Sequence, residues 1–167
     1  GIRFNTRKKE ILNHIEPIEK ICRSLICNQI SELEAYKQFY EAGNSRSIKE
    51  LGPAYYTKLI FFLGKQTGLI MDQWTARSVN LLSGKQIVSL SSKQKNRCYV
   101  RIENDIHNYS GFIEFCNMIK KELQLPSLNM TEELIFSCSP DKASVKKKLG
   151  QYHELCSSWR KYVIENT

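Results

Sequence analysis

Ile48-Lys49-Glu50-Leu51-Gly52-Pro53-Ala54-Tyr55-Tyr56-Thr57-Lys58-Leu59-Ile60-Phe61-Phe62-Leu63 is the stretch on which the fold turns. It reads as the end of one helix near Arg46, a tight turn at Leu51-Gly52, and a new helix opened by Pro53 and stopped by Gly64. Such a turn leaves backbone N–H groups without partners at a helix N-terminus, and their partial positive charge suits a phosphate. Gly52 lets that phosphate come close without a Cβ in the way. The plainer reading is that Gly52-Pro53 only separates two packed helices.

Lys58 sharpens the choice. Ala54, Tyr55 and Tyr56 precede it and the apolar run Leu59–Leu63 follows, so the pattern predicts a helix buried nearly all round. A lysine there either snorkels its amine to the surface or offers a nucleophile in a low-dielectric pocket. Asp72 follows the apolar approach Gly68-Leu69-Ile70-Met71 and opens the helix carrying Trp74 and Arg77. Its side chain suits an N-cap, and a capping carboxylate can also face a cleft.

Working outward, the pattern is helical almost throughout. Asn5-Thr6 caps a first helix with Ile11, Leu12 and Ile15 on one face, and Pro17 restarts a second through Ile18, Ile21, Cys22, Leu25 and Ile26. Ser31-Glu32-Leu33-Glu34 reads as a capping box for a third, stopped by Gly43-Asn44. Residues 83–98 read as the main irregular segment, with Gln86–Leu90 as a possible short strand. Helices resume over Tyr109–Leu123 and from Thr131, as a cap, to Phe136. A last helix, capped by Asp141, carries Val145, Leu149, Tyr152, Leu155, Trp159 and Tyr162 as an apolar stripe. Tyr55, Tyr56, Phe61 and Phe62 read as core. The expected fold is all-α: a single helical domain over 1–167 with a helix-hairpin-helix motif and no N-terminal β-domain.

This arrangement resembles the helix-hairpin-helix DNA glycosylases, whose Gly-rich hairpin, often followed by Pro, precedes a catalytic Asp by about twenty residues. Gly52-Pro53 and Asp72 reproduce that spacing, and Met71-Asp72-Gln73-Trp74-Thr75-Ala76-Arg77 matches the aliphatic residue before the Asp and the Arg five positions after it. More closely, Leu51–Ile60 followed by Ile70-Met71-Asp72, with Glu133-Leu134-Ile135-Phe136, is similar to small microbial proteins of the 8-oxoguanine DNA glycosylase fold. The strong similarity covers 48–82 and a weaker one most of the chain. Two departures stand out: the other hairpin glycine is replaced by Glu50, and Ala54 stands where bifunctional members carry their lysine. Lys58 lies one helical turn beyond Ala54.

The resemblance implies excision of a damaged or modified base from DNA, with Lys58 as amine nucleophile and Asp72 stabilising the sugar cation. It needs no organic cofactor, though hairpin carbonyls could hold a monovalent cation. Lys49, Gly52, Pro53 and Lys85 are the expected DNA contacts, and Trp74 and Phe136 the expected walls of a base pocket.

Charge agrees with such a partner: 25 Lys and Arg against 17 acids leave +8, which favours polyanions through phosphate contact and counterion release. Lys146-Lys147-Lys148 reads as a solvated helix face. Six cysteines include no C-x-x-C pair, which speaks for free thiols in a reducing cytoplasm rather than zinc or disulfides. His14, His107 and His153 are scattered singly and support neither a triad nor a metal site. No run approaches the roughly 20 apolar residues of a membrane span, and no leader pattern opens the chain. The expectation is a cytoplasmic or nucleoid-associated monomer that binds DNA, without a metal and away from membranes. The other readings are a non-catalytic hairpin module that binds DNA, as in a defence system, and a helical protein–protein adaptor.

Overall fold

The computed structural model describes residues 15–45, 51–65, 68–91, 98–137 and 158–167. Among them are α1 (Ile15–Ile26), α2 (Glu32–Asn44), α3 (Pro53–Leu63), α4 (Gln73–Ser83), α5 (Ile106–Glu122), α6 (Leu128–Ser137) and α7 (Ser158–Asn166). The protein is all-α over these residues; the only strand-like pairing is an isolated antiparallel bridge between Leu90 and Val100. The expected helix after Thr6, the turn residues Arg46–Glu50, Lys146-Lys147-Lys148 and the Asp141 cap lie outside the described residues.

Local chemistry explains most boundaries. Pro17 sits in the first turn of α1, where a missing N–H costs no intrahelical bond, so Ile15 begins this helix instead of ending another. Ser31 caps α2 by accepting from the Glu34 N–H at 3.1 Å, but the reciprocal half of the expected box is not made. The Glu34 carboxylate instead accepts from Gln38 Nε2 at 3.1 Å. Asp105 opens α5 through a box with Asn108, three residues ahead of the start expected at Tyr109. Thr131 is not a cap: α6 begins at Leu128, which places Thr131 inside the helix and fully buried.

The core is aromatic at its centre. Tyr36 stacks on Tyr109 at 4.1 Å and meets Tyr56 edge-on at 5.0 Å, while Phe39 stacks on Tyr56 at 5.4 Å. Their hydroxyls are used: Tyr36 donates to the Asn104 carbonyl at 2.9 Å, and Tyr109 donates to the Leu69 carbonyl at 2.9 Å while accepting from the Leu69 N–H at 3.0 Å. Burial pushes both phenols well above their usual titration range. Gly68 must be a glycine here, because a Cβ would stand 2.9 Å from Ile60 Cγ2 and 3.2 Å from the Tyr109 hydroxyl.

The irregular segment after α4 is held by amides, not by a sheet. Asn80 clamps Val88 from both sides, accepting from its N–H at 2.9 Å and donating to its carbonyl at 2.7 Å. Fully buried Asn104 accepts from the Ser89 N–H at 2.7 Å and donates to the carbonyls of Ser89 and Arg101 at 2.9 and 2.7 Å. Val79 is buried as expected on α4, but Leu82 is exposed. On α7 the buried residue is Val163, whereas Tyr162 of the expected stripe faces solvent.

Candidate active site

The segment before Asp72 is fixed from every side. Thr57 Oγ1, buried in α3, donates to the Pro53 carbonyl at 2.6 Å and accepts from the Met71 N–H at 3.1 Å. Thr75 Oγ1 donates to the Ile70 carbonyl at 2.8 Å and accepts from the Asp72 N–H at 3.0 Å. Asp72 in turn caps α4, accepting from the Trp74 and Thr75 N–H groups at 2.7 and 3.1 Å, which completes a capping box. Both capping bonds fall on Oδ1. Oδ2 takes part in no hydrogen bond with a described residue, and the side chain is half-buried.

Lys58 is exposed, not buried, which corrects the expectation of a low-dielectric pocket around it. The apolar run misled because α3 is two-faced: Pro53, Tyr56, Thr57 and Ile60 turn inward, while Tyr55 and Phe62, 47% and 72% exposed, share the outer face with Lys58. Of the aromatic residues expected in the core, only Tyr56 is fully buried. Lys58 and Asp72 each directly follow a residue of the Thr57–Met71 hydrogen bond, so α3 and the start of α4 carry them from one point of contact.

Gly52 caps α3 with φ −82°, a value open to any residue, and a Cβ there would make only an ordinary 3.8 Å contact with Ile102. Neither backbone strain nor internal crowding therefore calls for glycine at this turn. Pro53 is buried at the first helical position. Lys49 lies outside the described residues. Lys85 is exposed beyond the C-terminal end of α4, and that end lies about 16 Å along the helix from Asp72 at the helical rise per residue. The structure does not bring it to Asp72.

Trp74 and Phe136 do come together, around a side chain that the sequence did not single out. The Arg160 guanidinium carbon lies 4.7 Å from the Trp74 ring centroid and 4.8 Å from that of Phe136. Arg77, fully buried one turn after Trp74, sits 5.6 Å from the same indole.

A second carboxyl backs this end of α4. Glu132 on α6 is only 8% exposed, and its Oε2 has no hydrogen-bond partner among the described residues. Burial pushes the group up to about 7; the Asp72 charge adds to the rise and the Ile70 N–H opposes it. The sequence concealed Glu132 because Thr131-Glu132-Glu133 looks like a polar helix start. With α6 beginning at Leu128, Glu132 falls one turn from both Leu128 and Ile135, on the inner face. That periodicity was the available signal.

Among the described residues, no group of three or more His, Cys, Asp or Glu side chains could hold a metal ion. Cys22, Cys27, Cys98 and Cys116 are free thiols, and burial pushes Cys116 up to about 12, which makes it a poor nucleophile. No helix among the described residues is long and apolar enough to cross a membrane.

The family model described as "Putative 8-oxoguanine DNA glycosylase OGG-like protein" matches residues 3–136. No curated protein and no solved structure matches the chain. The matched span holds Gly52-Pro53, Lys58, Asp72, Trp74, Glu132 and Phe136, while α7 lies beyond it. On that span, the chain belongs to the 8-oxoguanine DNA glycosylase OGG-like family.

Proposed function

We propose that this protein is a DNA N-glycosylase that extrudes and excises a damaged or modified base such as 8-oxoguanine. The observation that carries this reading is the division of labour within Asp72, where Oδ1 caps α4 and Oδ2 takes no hydrogen bond from a described residue. Inside a duplex the sugar C1′ is shielded by stacking, so the nucleotide must first leave the helix. As the C1′–N bond lengthens, positive charge develops on the sugar. A fixed carboxylate oxygen beside it stabilises that charge without reorganising. Trp74 and Phe136 supply aromatic faces for the base next to that carboxylate.

Two routes complete the reaction. In one, the neutral Lys58 amine attacks C1′, the base leaves with a proton, and the resulting Schiff base permits strand cleavage, which makes the enzyme an AP lyase as well. In the other, Asp72 activates water and no covalent adduct forms. The exposure of Lys58 favours the second route, because burial is not available to activate its amine. The same exposure leaves Lys58 within reach of DNA. The surplus of +8 supports a nucleic-acid partner. Lys49, Gly52 and Pro53 would meet the phosphates from the hairpin and Lys85 from the far end of α4. A monovalent cation on hairpin carbonyls would be the only inorganic aid. We place the monomer in the cytoplasm, on the nucleoid in a bacterium.

Borohydride trapping on duplexes carrying modified bases separates these routes. A covalent adduct in the wild type that disappears in Lys58→Gln assigns the amine to Lys58. Base release without trapping assigns water. Neither trapping nor base release across a broad panel would leave a DNA-binding module without chemistry.

A further inference from the structure

Residues 69–72 lead into α4 outside any helix, so their backbone groups must find partners elsewhere. Side chains from four helices supply them. Tyr109 of α5 accepts from the Leu69 N–H at 3.0 Å and donates to the Leu69 carbonyl at 2.9 Å. Thr75 of α4 donates to the Ile70 carbonyl at 2.8 Å and accepts from the Asp72 N–H at 3.0 Å. Thr57 of α3 accepts from the Met71 N–H at 3.1 Å. The Ile70 N–H is left for the Glu132 carboxyl of α6.

Of these four anchors, Glu132 is the one carboxyl. It is 8% exposed, and its Oε2 has no hydrogen-bond partner among the described residues. Ionised there, it would lack the donors that a buried carboxylate requires, whereas a neutral carboxyl still has an oxygen to accept from Ile70. The titratable groups acting on it are Asp72 at the start of α4 and, from α5, Tyr109 and Cys116. Burial keeps the phenol and the thiol uncharged, so none of the three supplies a positive charge. Glu132 accordingly holds its proton up to about 7.

Resting on the glycosylase reading above, we propose that Glu132, uncharged, is a positioning residue for base excision: it fixes the segment that carries Asp72 without adding a second negative charge to it. Loss of the proton sets two carboxylates on one short segment. Their repulsion and the cost of a buried charge then favour an arrangement in which Ile70 and Asp72 shift. Asp72 Oδ2 leaves the place where the proposed sugar cation forms, and excision falls. Glu132 touches no DNA and acts through Asp72 alone.

The test follows wild type and Glu132→Gln from pH 5.5 to pH 8.5 by two readouts. One is single-turnover release of 8-oxoguanine from a duplex; the other is hydrogen-exchange protection of the Ile70, Met71 and Asp72 amides. The wild-type rate should fall about ten- to thirty-fold with a midpoint near 7, following the neutral fraction of Glu132, and protection should fall with it. Glutamine keeps the shape and the acceptor but cannot ionise, so both falls should vanish in Glu132→Gln. A purely structural Glu132 would alter stability and leave the pH profiles of the two proteins parallel, which overturns the proposal. Should Glu132→Gln fail to fold, wild-type protection decides: a loss through pH 7 confined to these amides supports the proposal, and level protection overturns it. No excision by the wild type at any pH overturns the glycosylase reading, and the protection profiles then decide by themselves whether Glu132 positions the segment.

Discussion

Asp72 and Glu132 form a contrasting carboxyl pair. Among the described residues, Asp72 is half-buried and hydrogen-bonded through one oxygen, whereas Glu132 is buried with Oε2 unpartnered. Glu132 rises from the usual 4.5 to about 7, so the folded protein binds its proton more tightly than the unfolded chain. Stability contributed by that proton is fully present below about pH 4.5 and is lost as pH rises through about 7. The loss should be on the order of 2 kcal/mol, allowing for partial solvation. Glu132→Gln should flatten this dependence and raise the melting temperature at pH 8 relative to wild type. Urea titrations at pH 5 and pH 8 check it; parallel pH dependence in both proteins would remove Glu132 as the cause. Asp72→Asn should behave differently, because asparagine caps a helix about as well as aspartate. Its fold should survive while its chemistry does not.

At the scale of elements, α3 determines where Asp72 sits. Thr57→Val keeps the shape of a fully buried side chain but removes the acceptor for the Met71 N–H. We expect a loss of about 1–3 kcal/mol from the orphaned amide. On the proposed function, excision should also slow while duplex affinity holds, since the shift falls on the segment that carries Asp72 and not on phosphate contacts. Unchanged stability and rate would show that the Thr57 link is dispensable. The same helix marks where the sequence was legible and where it was not. Its start at Pro53 and end at Leu63 follow from Pro and Gly punctuation, and the Asp72 cap from the residue type alone. Its two-sidedness was hidden, because Tyr55 and Phe62 are apolar yet exposed, and so Lys58 looked buried. Glu132 was hidden by a three-residue error in the start of α6, which turned its inner face outward. Arg160 was invisible for another reason: its partners are 86 and 24 residues away in sequence, and only tertiary packing joins them.

For the whole molecule, the net charge of +8 and the carboxyls at the start of α4 make distinct demands. The charge predicts duplex binding that weakens with salt, with a log–log slope near −0.9 for each phosphate neutralised, and largely regardless of sequence. A salt-independent affinity would point to a protein partner instead. The charge says nothing of the proposed chemistry, which we assign to Asp72. Single-turnover base release from a duplex carrying 8-oxoguanine opposite cytosine, compared between wild type and Asp72→Asn, therefore tests the account most directly. The wild type should release the free base, and Asp72→Asn should be slower by about a hundred-fold or more with duplex affinity equal or slightly higher. Excision by Asp72→Asn at the wild-type rate would contradict the account and leave Asp72 as a helix cap.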